Sequence, residues 1–389
     1  TKKMKQSSRA TIKSSLSRSS ISSKGSLSRI RLLWISLTIP MSLIVYMNVA
    51  SVSSSTTEMD QMIANNRHQQ QQKNDNSYQE KPASSSYTYP FQLHYINPNK
   101  TTTKEGATTP QLISSPNTVV TAYFSTKSKQ SGEAYNKWMS KMLALQDAMI
   151  IYTQPSMVNQ ILEFRQHASN RTVVVSMEMQ DLPMAKLYDT KVWEHHFDMD
   201  FEKRIHRSYQ LFWIWLSKTW YVTDAITTHQ NPFKSDVFMY SDIGCFRGGF
   251  RISPDKPMIQ HREVIPRHAM LQLAHHPPNP PPNNVIWWND KRTQKEHFYH
   301  SGSQMIAFQD TWLTFHKYFM ETVNGFIQRD MFVGEDQAVL QSTCLQHPDI
   351  CEYISFDQVP DNHYFGLRTV VSKGGTYKTW KPPSVSPEK

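Results

Sequence analysis

The residues best able to do chemistry fall in three short stretches. The first, Ser241-Asp242-Ile243-Gly244-Cys245-Phe246-Arg247, follows the apolar run Asp236–Tyr240 (DVFMY). A carboxylate at the end of a buried strand offers the hard oxygen that magnesium or manganese needs, and such ions commonly bridge one or two carboxylates to substrate phosphates. Asp242 suits that role, and equally the plainer one of closing a tight turn before Gly244. Arg247, five residues on, is either a two-pronged donor to a diphosphate or a surface ion-pair partner. The second stretch is Gly334-Glu335-Asp336-Gln337, ahead of the apolar Ala338-Val339-Leu340. Two acids there complement the positive end of a helix. They also bring a carboxylate and an amide together for sugar-like hydroxyls, with Asp336 or Glu335 able to take a proton. The third is Tyr299-His300-Ser301-Gly302-Ser303-Gln304, where Gly302 permits either close backbone approach to a ligand or a simple turn.

These groups need a scaffold, and from Asn117 onward the sequence supplies one. Thr118–Phe124 (TVVTAYF), Ala148–Thr153 (AMIIYT), Thr172–Ser176 (TVVVS) and Asp236–Tyr240 read as buried strands. Between them, Ser131 can cap a helix carrying Tyr135, Trp138, Met139 and Met142 on one face, and a second helix is expected from Ser156 through Phe164. Phe201–Trp220 reads as one long aromatic helix, with Phe212, Trp215 and Trp220 as core. Alternating strands and helices predict an α/β sheet with parallel strands covered on both faces. Ligands in such sheets bind beyond the carboxyl ends of the strands, so the residues after the fourth strand are the first place to look. No glycine-rich phosphate loop follows the first strand, which removes the main support for dinucleotide oxidoreductases and P-loop NTPases. The marks of zinc proteases and α/β-hydrolases are missing as well. The sixteen histidines show no metal-ligand spacing, and His275–Asn284 (HHPPNPPPNN) reads as a surface loop.

Charge and hydropathy are unevenly distributed. The net charge is +10, but residues 1–31 hold nine basic residues and no acid, leaving 33 basic against 32 acidic residues elsewhere. A nucleic-acid binder would need its basic patch in the folded part, so that class is excluded as the default. Residues 32–52 are 21 residues without charge, the length of a single membrane span. With the positive flank before it and Glu58 the first acid after it, the expected topology is type II, with the remainder lumenal. A cleaved signal peptide and a transit peptide are the competing readings. Residues 53–116 contain 17 Ser or Thr and 14 Asn or Gln among 64, a composition that predicts a disordered stem. Asn99-Lys100-Thr101 and Asn170-Arg171-Thr172 are sequons. The cysteines are Cys245, Cys344 and Cys351, and the close pair Cys344/Cys351 is the simplest disulfide. The expected divisions are thus a basic tail at 1–31, a membrane anchor at 32–52, a stem at 53–116, a folded domain at 117–372 and a C-terminal tail at 373–389.

Taken together, TVVTAYF at 118–124, Tyr135 and Trp138, Asn231-Pro232-Phe233 with Ser235-Asp236, Asp242-Ile243-Gly244 with Arg247, Ser301-Gly302 and Asp336-Gln337 resemble the HtrL/YibB-type glycosyltransferase family. The resemblance spans roughly residues 118–366. It implies a Rossmann-like, GT-A-type mixed sheet flanked by helices, a nucleotide-sugar donor and a glycan or glycoconjugate acceptor. Donor contacts would come from Asp242, Gly244, Arg247, Ser301, Gly302 and Gln337. A divalent cation, manganese or magnesium, would lie on Asp242. Gly244 stands where the second carboxylate of the usual Asp-x-Asp belongs, so a further ligand would come from Asp361 or His363. Asp336 or Glu335 would act on the acceptor hydroxyl. The layout of tail, span, stem and α/β domain is similar to that of Golgi transferases. The alternative from another class is a lectin-like type II membrane protein that keeps the fold without turnover, which Gly244 favours; a hydrolase of sugar phosphates lacks a convincing carboxylate pair.

Overall fold

The computed structural model describes residues 90–96, 111–126, 130–247, 252–274, 300–361 and 364–383. All described residues belong to one compact unit, Glu80–Lys389. The expected tail and span, most of the expected stem, the loop 275–284 and His363 lie outside the described residues. Among the described residues no helix is long and apolar enough to cross a membrane.

The described strands are β1 (Gln92–His94), β2 (Asn117–Tyr123), β3 (Ala148–Thr153), β4 (Thr172–Ser176), β5 (Val237–Ser241), β6 (Met270–Ala274), β7 (Gln304–Phe308), β8 (Cys351–Ser355) and β9 (Thr379–Trp380). They form one mixed sheet in the order β1-β4-β3-β2-β5-β7-β6-β8-β9. β4, β3, β2 and β5 are parallel, while β7 pairs antiparallel with β5, Tyr240 opposite Met305. Helices cover both faces: α1 (Gly132–Leu143), α2 (Val158–Phe164), α3 (Pro183–Leu187), α4 (Thr190–Met199), α5 (Lys203–His206), α6 (Gln210–Leu216), α7 (Lys218–Thr227), α8 (Gln309–Gln328), α9 (Asp336–Gln346) and α10 (Leu367–Lys373). The sheet is thus mixed and flanked by helices, as the resemblance implies, with the parallel strands that alternation predicts in β4, β3, β2 and β5.

Period-two alternation sorts the strand side chains into two cores. Val120, Ile150, Val173 and Phe238 face α7 and α8, packing on Tyr221, Trp312 and Phe315. Val119, Met149, Val174 and Met239 face the other way, onto α1 and α10 through Met139, Met142 and Val370. The side chain of Ser131 accepts from the amide of Ala134 and caps α1 as expected. The Cys344–Cys351 disulfide is formed, and Cys245 is a buried free thiol that burial pushes up to about 12.

Three expectations need correction. The helix expected over Phe201–Trp220 is broken into α5, α6 and α7. Arg207 adopts a left-handed φ of 65°, and the Ser208 hydroxyl accepts from the Gln210 amide to restart the chain as α6. The fourth strand is shifted by one residue at both ends, running over Val237–Ser241. The folded unit also reaches beyond 117–372 at both ends. β1, within the expected stem, pairs with β4, and β9, within the expected tail, pairs with β8 and lays Trp380 on Tyr353.

Candidate functional site

From β2 the chain steps to β3 and β4 on one side and then returns to β5 on the other. That reversal leaves a crevice between the carboxyl ends of β2 and β5. A cavity of about 460 Å3 opens there, lined by residues following β2, Tyr135 of α1, Asp242 to Gly244 after β5, Gly302 and Ser303 before β7, and Glu335 to Gln337 at the start of α9.

The floor is a buried charge cluster centred on Lys218, the first residue of α7. Its ammonium lies 2.6 Å from Asp336 Oδ2 and 3.3 Å from Asp242 Oδ1, and it donates to the Gly302 carbonyl at 2.8 Å. Tyr240 adds a hydrogen bond to Asp242 Oδ1 at 3.2 Å. Burial alone would push Lys218 down, but the charges of Asp242 and Asp336 outweigh it and hold the lysine above its ordinary value. Burial likewise pushes Asp336 up, against the pull of Lys218. Asp242 is further fixed by its amide, which donates to the Ser303 carbonyl at 2.8 Å.

Two of the expected glycines behave differently. A methyl group on Gly302 would run into the Asp336 carboxylate, its Cγ 2.7 Å and Oδ1 2.8 Å away. The same addition at Gly244 would meet Tyr135 and Trp138 at 3.5 and 3.6 Å, ordinary contact distances. Gly302 is thus the close approach, and Gly244 merely an absent carboxylate. Arg247 crosses the cavity wall between Trp138 and Phe365, its guanidinium carbon 5.4 and 4.9 Å from the two ring centres. Among the described residues its buried Nε has no hydrogen-bond partner, and the residue lines the cavity.

Other expected donor contacts are engaged elsewhere. Ser301 is buried and its hydroxyl donates to the Tyr364 carbonyl at 2.6 Å, so it shapes the loop and does not line the cavity. Gln337 lines the cavity and donates its amide to the His300 carbonyl at 2.5 Å. Asp361 is bound by both prongs of Arg368, at 2.9 and 2.8 Å, and by the Thr369 hydroxyl at 2.6 Å. At the expected cation position the Lys218 ammonium lies between Asp242 and Asp336, Gly244 gives no ligand and Asp361 is held by Arg368, while His363 lies outside the described residues.

Beyond Glu335 the cavity reaches a second group of polar side chains. Glu202, His206 and Glu335 could hold a metal ion, since one ligand atom from each lies within 4.8 Å of the others. Burial raises the Glu335 carboxyl to about 7; His206 pulls it back, and Glu202, Asp200 and Asp336 push it further up. For His206 burial acts downward, but Asp200, then Glu335 and Glu202, outweigh it and raise the imidazole above its ordinary value. Sequence reasoning missed Lys218, Glu202 and His206. Glu202 and His206 stand four apart, a one-face spacing that the absence of His-to-His patterns had hidden, while Lys218 stood inside what read as an aromatic core helix.

Two outcomes follow. Gly302→Ala, which must displace Asp336 or the loop, should cost about 1–3 kcal/mol in urea unfolding, whereas Gly244→Ala should stay within about 0.5 kcal/mol; equal costs would refute the close approach. The Glu335 carboxyl gives a pH dependence of definite sign. Between its ordinary value of 4.5 and about 7 only the folded state keeps the proton, so stability falls as pH rises through that window. In EDTA, Glu335→Gln should therefore exceed the parent protein by about 2–3 kcal/mol at about pH 8 and equal it at about pH 4. A variant less stable at the higher pH would show that the carboxyl is not destabilised by burial.

Residues 115–251 match the model of a family described as a bacterial protein of unknown function, HtrL_YibB. The matched stretch runs from just before β2 to just past Arg247 and so carries Lys218, Glu202, His206 and Asp242. No curated protein matches the chain. Among solved structures, the apo crystal structure of mouse xyloside xylosyltransferase 1 is similar over 61% of this chain and 83% of that one, at 11% sequence identity and a TM-score of 0.34.

Proposed function

We propose that the chain is a glycosyltransferase that moves a sugar from a nucleotide-sugar donor to a glycan or glycoconjugate acceptor, with a GT-A-type arrangement of its sheet. The observation that carries this reading is the cavity at the β2–β5 crevice, lined by Asp242, Asp336, Gln337 and Arg247, with the two carboxylates paired to one buried ammonium. The sequence resemblance over roughly residues 118–366 points the same way.

Within that reading each group has a task. Arg247, held between two aromatic rings, supplies positive charge to the diphosphate as it leaves. Asp336 receives the acceptor proton, and the charge of Lys218 favours its ionised form. Asp242, held by Lys218, Tyr240 and the Ser303 carbonyl, orients the sugar. Gln337 pins the loop that brings Gly302 against Asp336. The charge asymmetry around residues 32–52 supports a single-pass type II topology with the folded unit lumenal, in the Golgi or another secretory compartment.

The test incubates the full-length chain with a panel of UDP- and GDP-sugars in manganese buffer and follows nucleotide release. Release from one donor is expected, falling by about 10²–10⁴-fold in Asp336→Asn if that residue is the base. Lys218→Gln should also lose activity. No release from any donor, together with saturable glycan binding that survives Asp242→Ala, would replace the enzyme with the lectin-like binder.

A further inference from the structure

The end of the cavity beyond Glu335 holds groups to which the transfer reaction gives no task. His206 Nδ1 is bound to Asp200 Oδ2 at 2.7 Å, and Asp200 is only 2% exposed. Asp200 is held in turn by the Glu202 amide, which donates to its Oδ1 at 2.8 Å. The imidazole also stands edge-on to Trp215, ring centres 5.0 Å apart. One ring nitrogen is thus consumed and the plane fixed, which turns Nε2 toward Glu202 Oε2 at 3.5 Å and Glu335 Oε1 at 3.9 Å. A histidine whose far nitrogen rests on a buried carboxylate while its near nitrogen faces further carboxylates is how proteins orient an imidazole for a metal.

A second observation is independent of that one. The Glu335 side chain is nine-tenths buried, yet among the described residues no group hydrogen-bonds to its carboxylate; its nearest cationic neighbour is His206 Nε2 at 3.9 Å. Buried carboxylates ordinarily carry donors or cations at contact distance. The missing partner has room to enter, because Glu202, His206 and Glu335 all line the open cavity.

We propose that Glu202, His206 and Glu335 bind one divalent cation of the manganese type, with Asp200 as the positioning residue behind His206. Two carboxylate oxygens with one imidazole nitrogen suit manganese better than calcium, which prefers oxygen throughout, or soft ions that prefer sulfur. Glu202, with its side chain 39% exposed, is the arm that closes onto the ion. The remaining positions face the cavity, where oxygens of an anionic ligand can enter. Glu335 and Asp336 are adjacent, so the cation and the Lys218 ammonium flank the same two residues. The site itself is independent of the transferase reading; only its use as a clamp for an anionic donor rests on it.

The test titrates manganese alone into the full-length chain at about pH 8 and reads the free ion by electron paramagnetic resonance. One tightly bound ion per chain is expected. Binding should weaken tenfold or more in His206→Ala, Glu335→Gln and Glu202→Gln, and about 10–100-fold in Asp200→Asn. Asp242→Asn should leave it unchanged. Glu202 lies at the rim, so its variant keeps the test decisive even where a buried substitution unfolds the chain. Absence of binding to the parent protein would overturn the proposal, as would binding that Asp242→Asn weakens and Glu202→Gln spares. Manganese bound through these residues without nucleotide release from any donor would leave the site standing and remove the transferase reading instead.

Discussion

The strand ends of the cavity are held together by one ammonium group. Lys218 joins four pieces of chain remote in sequence: the start of α7, Asp242 after β5, the Gly302 carbonyl before β7, and Asp336 at the head of α9. A buried charge is costly unless paired and hydrogen-bonded, and here the pairing is distributed over all four pieces. A shift of any one of them takes a partner away from a buried ammonium. One positive charge is thus shared between two carboxylates, Asp242 and Asp336.

The rest of the architecture brings those pieces within reach. β5 ends where β7 begins, because the two run antiparallel, and so the residues leaving one strand meet the residues entering the other. The Asp242 amide bonds the Ser303 carbonyl, and Gln304 donates to the Ser241 hydroxyl at 2.9 Å while accepting from the Arg368 amide at 3.0 Å. A wholly parallel sheet would have put the start of that strand at the opposite edge. The antiparallel partner lets Gly302 press against Asp336, and the missing Cβ lets it do so without strain.

Much of the scaffold was legible because its signals are local. Four buried strands, the Ser131 cap and the Cys344–Cys351 pair each follow from residue type and spacing within a few positions. Asp242 and Asp336 were legible as acids beside apolar runs. Lys218 was not, since nothing near it in sequence distinguishes a charge-cluster lysine from one on a solvated helix face. Glu202 and His206 were hidden by the expectation of one long helix, which breaks at the left-handed Arg207. β1 and β9, three and two residues long, have no room to show a period. Asp361 carried the right chemistry for a ligand, but a buried arginine seven residues later claims it.

The single unpaired thiol has a consequence of another kind. Cys245 lies three residues beyond Asp242 with no accessible surface, and its pKa near 12 keeps it protonated under physiological conditions. Exchange and oxidation proceed through the thiolate and need access to the sulfur, and here both are lacking. An odd cysteine is ordinarily a hazard during maturation in an oxidising environment, where it can scramble a native bridge or couple two molecules. In the folded state this one behaves as a small apolar filler beneath the site, and the Cys344–Cys351 bridge has no internal rival once the sheet has closed around it.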